Sequence, residues 1–191
     1  MRIESAILKD ENDYEIPKLT NLKELVIENA PELLSIQSFD NLYRIQKLQI
    51  KNAPKLRSLP SFGSFTKIHR LELKNLGITA LPDEFGLGSQ LFLTDCPNIQ
   101  TIPPRWCKFS KIEIRDCIDL RSLPKCLLED KQYKRHISED GTLSGYPDII
   151  VYGHVSGSPK LQASAEMRKR VQIYTPEEYR DHIEEQQGID R

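Results

Sequence analysis

Leu19–Phe39 reads LTNLKELVIENAPELLSIQSF, and Leu42–Phe62 reads LYRIQKLQIKNAPKLRSLPSF. Laid over one another at a shift of 23 residues, the two stretches share Leu19, Leu25, Ile27, Asn29, Ala30, Pro31, Leu33, Ser35, Ser38 and Phe39 as identical residues, 10 of 21 positions. Composition alone gives roughly one or two such matches. Self-similarity at a fixed period is the mark of a stacked-repeat architecture, so the fold question turns on how far the period extends.

Working outward from that pair, the unit is LxxLxLxxCxxLxxLP, with a small apolar residue in the Cys place. Leu22, Leu25, Ile27, Ala30, Leu33 and Ile36 fill one copy, and Ile45, Leu48, Ile50, Ala53, Leu56, Leu59 and Pro60 the next. A third runs Ile68, Leu71, Leu73, Leu76, Ile78, Leu81 and Pro82, with one residue lost between Leu76 and Ile78. Leu91, Leu93, Cys96, Ile99, Ile102 and Pro103 make a fourth, and Phe109, Ile112, Ile114, Cys117, Leu120, Leu123 and Pro124 a fifth. Ile3, Ala6, Leu8, Tyr14, Ile16 and Pro17 read as a degenerate opening copy.

The LxL step alternates with period two, which sends two apolar side chains inward and their neighbours outward. One such strand cannot bury its apolar side alone. Stacked copies pair as a parallel sheet, about 4.8 Å apart, and share one core. Pro on the returning segment lacks an N–H and suits chain that need not join a ladder. The expectation is an α/β solenoid with about six parallel strands on a concave face over residues 1–128, and a short β/α extension over residues 129–191.

In the extension, Asp148–Val155 and Arg168–Tyr174 read as strands joined by turn residues, hence a β-hairpin. Thr175-Pro176-Glu177-Glu178 reads as a capping box opening a helix that ends near Gln187, before Gly188. Terminal repeats need a cover, and this segment is the candidate cap.

The residue before the Cys place is Asp10, Asn29, Asn52, Asn75, Asp95 or Asp116. A column of Asx residues suggests a metal, but oxygen cages gather their ligands within one loop. Asx side chains that bond nearby backbone and set a turn explain the column better. Cys96 and Cys117 share one repeat position and read as small buried fillers. Cys107 and Cys126 fall on returning segments, and His136 and Asp140 follow Cys126 with no nucleophile motif around them. His69, His136, His154 and His182 lack the spacing of a zinc site. No catalytic residue, metal or cofactor is expected, and Trp106, on a returning segment, is read as packing in the core or against the end cap.

LTDCPNIQTIP (Leu93–Pro103) and IEIRDCIDLRSLP (Ile112–Pro124) resemble the leucine-rich repeats of plant intracellular immune receptors of the nucleotide-binding type. The likeness covers about residues 3–128 and rests on the Asp-Cys step followed by Leu-Pro or Ile-Pro. It implies a leucine-rich-repeat horseshoe that senses a ligand or effector protein and restrains a switch domain. The chain departs from a full receptor in having no GxxxxGK[ST] phosphate loop. It therefore reads either as the repeat part of a longer protein or as a stand-alone repeat protein. Repeat-bearing effectors with a functional or enzymatic C-terminal segment are the alternative class.

Composition sets further bounds. With 29% charged and 38% hydrophobic residues, the chain has enough apolar side chains for a core. A net charge of −1 gives no bulk attraction to nucleic acid or anionic lipid. No apolar run approaches the roughly 18 residues of a membrane span, and the start lacks a signal-peptide pattern, so a cytoplasmic chain is expected. The charge is unevenly spread: residues 1–40 carry 4 basic and 9 acidic side chains, residues 41–75 carry 8 and 1.

Partner-binding candidates are the outward residues of the strands: Lys47, Gln49 and Lys51; Arg70, Glu72 and Lys74; Gln90, Phe92 and Thr94; Lys111, Glu113 and Arg115. Lys47 stacks beside Arg70 and Lys51 beside Lys74, which suits an acidic or phosphorylated segment of a partner protein. The competing reading is a solvated face on which Glu72 and Glu113 balance the cations. Phe92, an aromatic residue among polar ones, is the expected anchor.

Overall fold

The computed structural model describes residues 20–124 and, outside that span, the strands Ser5–Leu8, Asp13–Tyr14, His136–Ile137, Leu143–Ser144, Asp148–Tyr152 and Gln172–Tyr174. Each LxL step forms a strand: β1 (Ser5–Leu8), β3 (Glu24–Glu28), β5 (Lys47–Ala53), β6 (Phe62–Leu76), β7 (Phe85–Thr94) and β8 (Phe109–Arg115). With β11 (Asp148–Tyr152) and β12 (Gln172–Tyr174) they make one eight-stranded sheet in the order β1-β3-β5-β6-β7-β8-β11-β12, every pair parallel. The register follows the repeat. Leu25 lies opposite Leu48, Leu48 opposite Leu71, Leu71 opposite Leu91, and Leu91 opposite Ile112.

The molecule is a β-solenoid of about four turns. Helices on the returning side do not form among the described residues, where the one helical element is the 3-10 turn Pro104–Lys108. The α/β expectation is corrected to that extent. The physical reason lies in the return segments, which are short, lack a helical apolar period and carry Pro31, Pro54, Pro60, Pro82, Pro97 and Pro103. They run extended. β2 (Asp13–Tyr14) pairs in parallel with β4 (Ser35–Ile36), and Thr101 bridges Ser122, so the returns stack too.

The repeat strands β3, β5, β6, β7 and β8 end in the same way. Asn29, Asn52, Asn75, Asp95 and Asp116 all have positive φ, between 51° and 55°. Asn and Asp tolerate this left-handed conformation better than other residues with a side chain. The kink turns the chain off the sheet, and the next residues close a tight turn: Leu33 N–H donates to Ala30 O, Leu56 to Ala53, Ile99 to Cys96 and Leu120 to Cys117. The expected side-chain-to-backbone bonds are replaced by a different arrangement in the first three copies. There the amides bond each other, Asn52 Nδ2 donating to Asn29 Oδ1 at 2.9 Å and Asn75 Nδ2 to Asn52 Oδ1 at 3.3 Å.

The inward columns form one core with the residues of the return. Leu25, Ile27, Leu48, Ile50, Leu71, Leu73, Leu91 and Leu93 are fully buried, each stabilising by about 1.5–3 kcal/mol relative to exposure. Along the return side, Phe39, Phe62, Phe65, Phe85, Trp106 and Phe109 make a continuous aromatic run with centroids 4.7–6.0 Å apart. Trp106 belongs to it, and its indole N–H donates to Pro82 O at 2.7 Å.

Uneven repeat length is absorbed at two glycines. At Gly77, where a residue is missing, the chain is drawn against the preceding coil; an added Cβ would lie 2.1 Å from Pro54 O. Between β6 and β7 the register shifts between Phe62 and Lys67, which brings Gly88 opposite Ile68. The Phe109 ring occupies the space a side chain at Gly88 would need.

Strands β11 and β12 contribute to the sheet in a way the hairpin expectation missed. β11 pairs in parallel with β8, Ile149 opposite Ile112 and Val151 opposite Ile114, and β12 pairs in parallel with β11. The Ile-x-Val spacing repeats the LxL alternation, so the segment adds strands to the stack instead of folding back on itself. A second small pair, β9 (His136–Ile137) with β10 (Leu143–Ser144), is antiparallel. The expected helix over 175–187 lies outside the described residues, as do Asp10, Cys126, Asp140, His154 and His182.

Candidate functional site

The sheet brings all twelve candidate residues into one strip on the outward side of β5, β6, β7 and β8. Three columns cross the strands. The first is Glu24, Lys47, Arg70, Gln90, Lys111; the second Val26, Gln49, Glu72, Phe92, Glu113; the third Glu28, Lys51, Lys74, Thr94, Arg115. Residues 23, 20 or 21 apart in the chain thus become neighbours about 4.8 Å apart.

Most of the cations are engaged by carboxylates of the same strip. Lys47 Nζ lies 2.5 Å from Glu24 Oε1. Glu72 accepts from three side chains: Lys51 Nζ at 2.9 Å, Gln49 Nε2 at 2.6 Å and Arg70 Nη2 at 3.1 Å. Glu113 holds Lys111 at 3.7 Å and is also paired with Arg115. The balancing role weighed for Glu72 and Glu113 is therefore what the geometry displays. Glu24 as the partner of Lys47 was missed, although its signal is plain: opposite charges at a 23-residue shift in one column.

Glu72 and Glu113 sit low between longer neighbours, and Gln49 and Glu113 are only 9% and 7% exposed. Burial by itself would raise the Glu72 carboxyl, but hydrogen bonds from Lys51, Gln49 and Arg70 outweigh it and hold the group below its ordinary value of 4.5. Glu72 is thus a charged hub at neutral pH.

Phe92 is half-buried, which corrects the expectation of an exposed ring. The Arg70 guanidinium carbon lies 4.0 Å from the ring centroid, and Lys111 Nζ lies 5.7 Å from it. Both are within the range of cation–π attraction. Gln90 and Lys74 are exposed and Thr94 is half-buried. Lys74 makes no ion pair with any described residue.

The chemically reactive residue types lie elsewhere. Cys96 is fully buried, and Cys117 nearly so. Their thiols point at backbone carbonyls, Cys96 Sγ at Thr94 O (3.5 Å) and Cys117 Sγ at Arg115 O (3.4 Å). A hydrogen bond with the Cys96 thiol, then burial, pushes the Cys117 thiol well up, so it stays protonated and a poor nucleophile. Among the described residues no group of three His, Cys, Asp or Glu side chains is placed to hold a metal ion, and no helix is long and apolar enough to cross a membrane. Comparison of the chain with family models, with curated proteins and with solved structures returns no match.

Proposed function

We propose that this chain is a leucine-rich-repeat recognition module that holds a partner protein on the outward face of its parallel sheet, as the sensing part of a cytoplasmic receptor of the plant immune type. The observation that carries this reading is the strip itself. Twelve side chains from four strands make one laterally continuous surface, with a half-buried aromatic ring at its centre and charged groups held in fixed pairs around it. Paired, pre-positioned side chains lose little further freedom on docking, which favours recognition. The repeat pattern, the left-handed Asx residue closing each strand and the stacked cysteines support the leucine-rich assignment. Extended return segments make it a flatter-backed variant than the helix-bearing form expected from the resemblance. Recognition is favoured over catalysis because the two described thiols are buried against backbone carbonyls.

The test is partner capture from the native cell with the full chain and with Phe92→Ala. Proteins retained by the first and lost by the second are expected; an identical set of captured proteins sinks the reading.

A further inference from the structure

We infer that the occupant of this face is an acidic peptide segment of the partner, lying across β5, β6 and β7 over Lys51, Arg70, Lys74 and Phe92. The inference rests on the proposed strand-face function and specifies what that face takes.

Charge is the first argument. From β3 to β8 the outward columns carry six cations, Lys47, Lys51, Arg70, Lys74, Lys111 and Arg115, against four carboxylates, Glu24, Glu28, Glu72 and Glu113. The imbalance is greatest around Glu72, which is shared by Lys51 and Arg70 while Lys74 beside them pairs with no carboxylate among the described residues. Lys51 and Lys74 are direct register partners. Like charges on adjacent strands repel, and an anion over them removes that cost.

The rim beside Lys74 decides between a peptide and a phosphate group. The amide ladder runs in one direction, from Asn75 to Asn52 to Asn29, so each Nδ2 donates toward the lower-numbered strand. Asn75 Oδ1 is left as the free acceptor end, because the next residue in the column is Asp95, which has no proton to donate. A phosphate brings acceptors alone and meets Asn75 Oδ1 and Asp95 unfavourably. A peptide brings carboxylates for Lys74 and Arg70 together with backbone N–H groups for Asn75 Oδ1. Phe92, one strand further on, offers the adjoining apolar contact. An extended segment advances about 6.6 Å per two residues, so one crossing obliquely to strands about 4.8 Å apart places alternate side chains over successive strands. The expected pattern is acidic residues at alternate positions, followed by an apolar one.

The test is selection of a displayed random dodecapeptide library on the full chain, followed by affinity measurements on synthetic peptides from the enriched clones. Lys74→Glu, Lys74→Arg and Phe92→Ala serve as variants, each first shown to melt like the parent. Enriched clones are expected to carry alternate acidic residues, to bind about tenfold more weakly to Lys74→Glu and to Phe92→Ala, to retain binding to Lys74→Arg, and to weaken as salt rises. Basic or uncharged clones that still lose affinity on Phe92→Ala overturn the acidic occupant and leave the strand-face reading standing. Clones that bind all variants alike overturn both. Absence of enrichment, or displacement of the peptide by tripolyphosphate at concentrations where hexaglutamate has no effect, overturns the peptide assignment.

Discussion

The two faces of the same strands follow different rules. Inward, the LxL positions from Leu25 to Ile114 hold only leucine or isoleucine, with exposures of 0–1%. Outward, the same strands carry Glu24, Lys47, Arg70, Gln90 and Lys111 in one column and Val26, Gln49, Glu72, Phe92 and Glu113 in the next. The inward face is close-packed, so the loss of a few methylenes leaves a void that neighbours cannot fill. The outward face answers a change on one strand with a change on its neighbour, as Glu24 answers Lys47 and Glu72 answers Lys51 and Arg70. Identity is therefore held by packing on one side and only by pairing on the other, and it is the second side that is free to specialise.

Substitutions can break this contrast at graded points. Leu73→Ala removes a fully buried side chain from the middle strand and is expected to cost about 2–5 kcal/mol, read as a lower urea midpoint with an unchanged slope. Gly77→Ala adds a single carbon, but against the Pro54 carbonyl of the neighbouring coil; about 1–3 kcal/mol is expected, and a melt within a degree of the parent would show that the coil can move aside.

At the strand end, Asn52→Ala places alanine at φ 54° and removes both amide-ladder bonds, for a loss of about 1–2 kcal/mol. Asn52→Gly keeps the backbone conformation and should lose less than half as much. Equal losses would assign the column's role to the ladder instead of the left-handed backbone.

The smallest effect lies on the outward face and is pH-dependent. The folded Glu72 carboxyl titrates below its ordinary value of 4.5, so its charged form stabilises the fold above about that pH, and the contribution is lost as pH falls through the folded value. Glu72→Gln should therefore be less stable than the parent at pH 7, with the gap closing on acidification below 4.5. A gap that persists in acid would mean that the loss is one of shape and not of charge.

Much of the fold was legible in the repeat. The strands, their parallel order and the columns all follow from the recurrence of Leu25 at Leu48 and beyond, because equal spacing makes equivalent residues neighbours. The buried cysteines were legible for the same reason, whereas Trp106, outside the repeat columns, was left between the core and the end cap. The return segments were misread because a repeat length compatible with a helix does not require one, and the prolines of those segments favour extended chain. The sheet-adding strand Asp148–Tyr152 was seen as a strand, but its partner was not, since pairing over 32 residues of intervening chain leaves no periodic trace. In the candidate site the twelve residues were legible as a strip. The sharing of Glu72 was not, nor was the cover of Arg70 over Phe92, because both depend on side-chain rotamers across strands.

What the sequence by itself determined about this protein is which residues face in, which face out and which stand side by side, because a period in the chain becomes a period in space once copies stack. What only the tertiary structure decided is the state of the outward residues: which cation each carboxylate holds, that Lys74 is left without one among the described residues, and that Phe92 lies beneath a guanidinium. Long charged side chains reach two or three neighbours at similar cost, and only their mutual packing on the folded sheet selects among those choices.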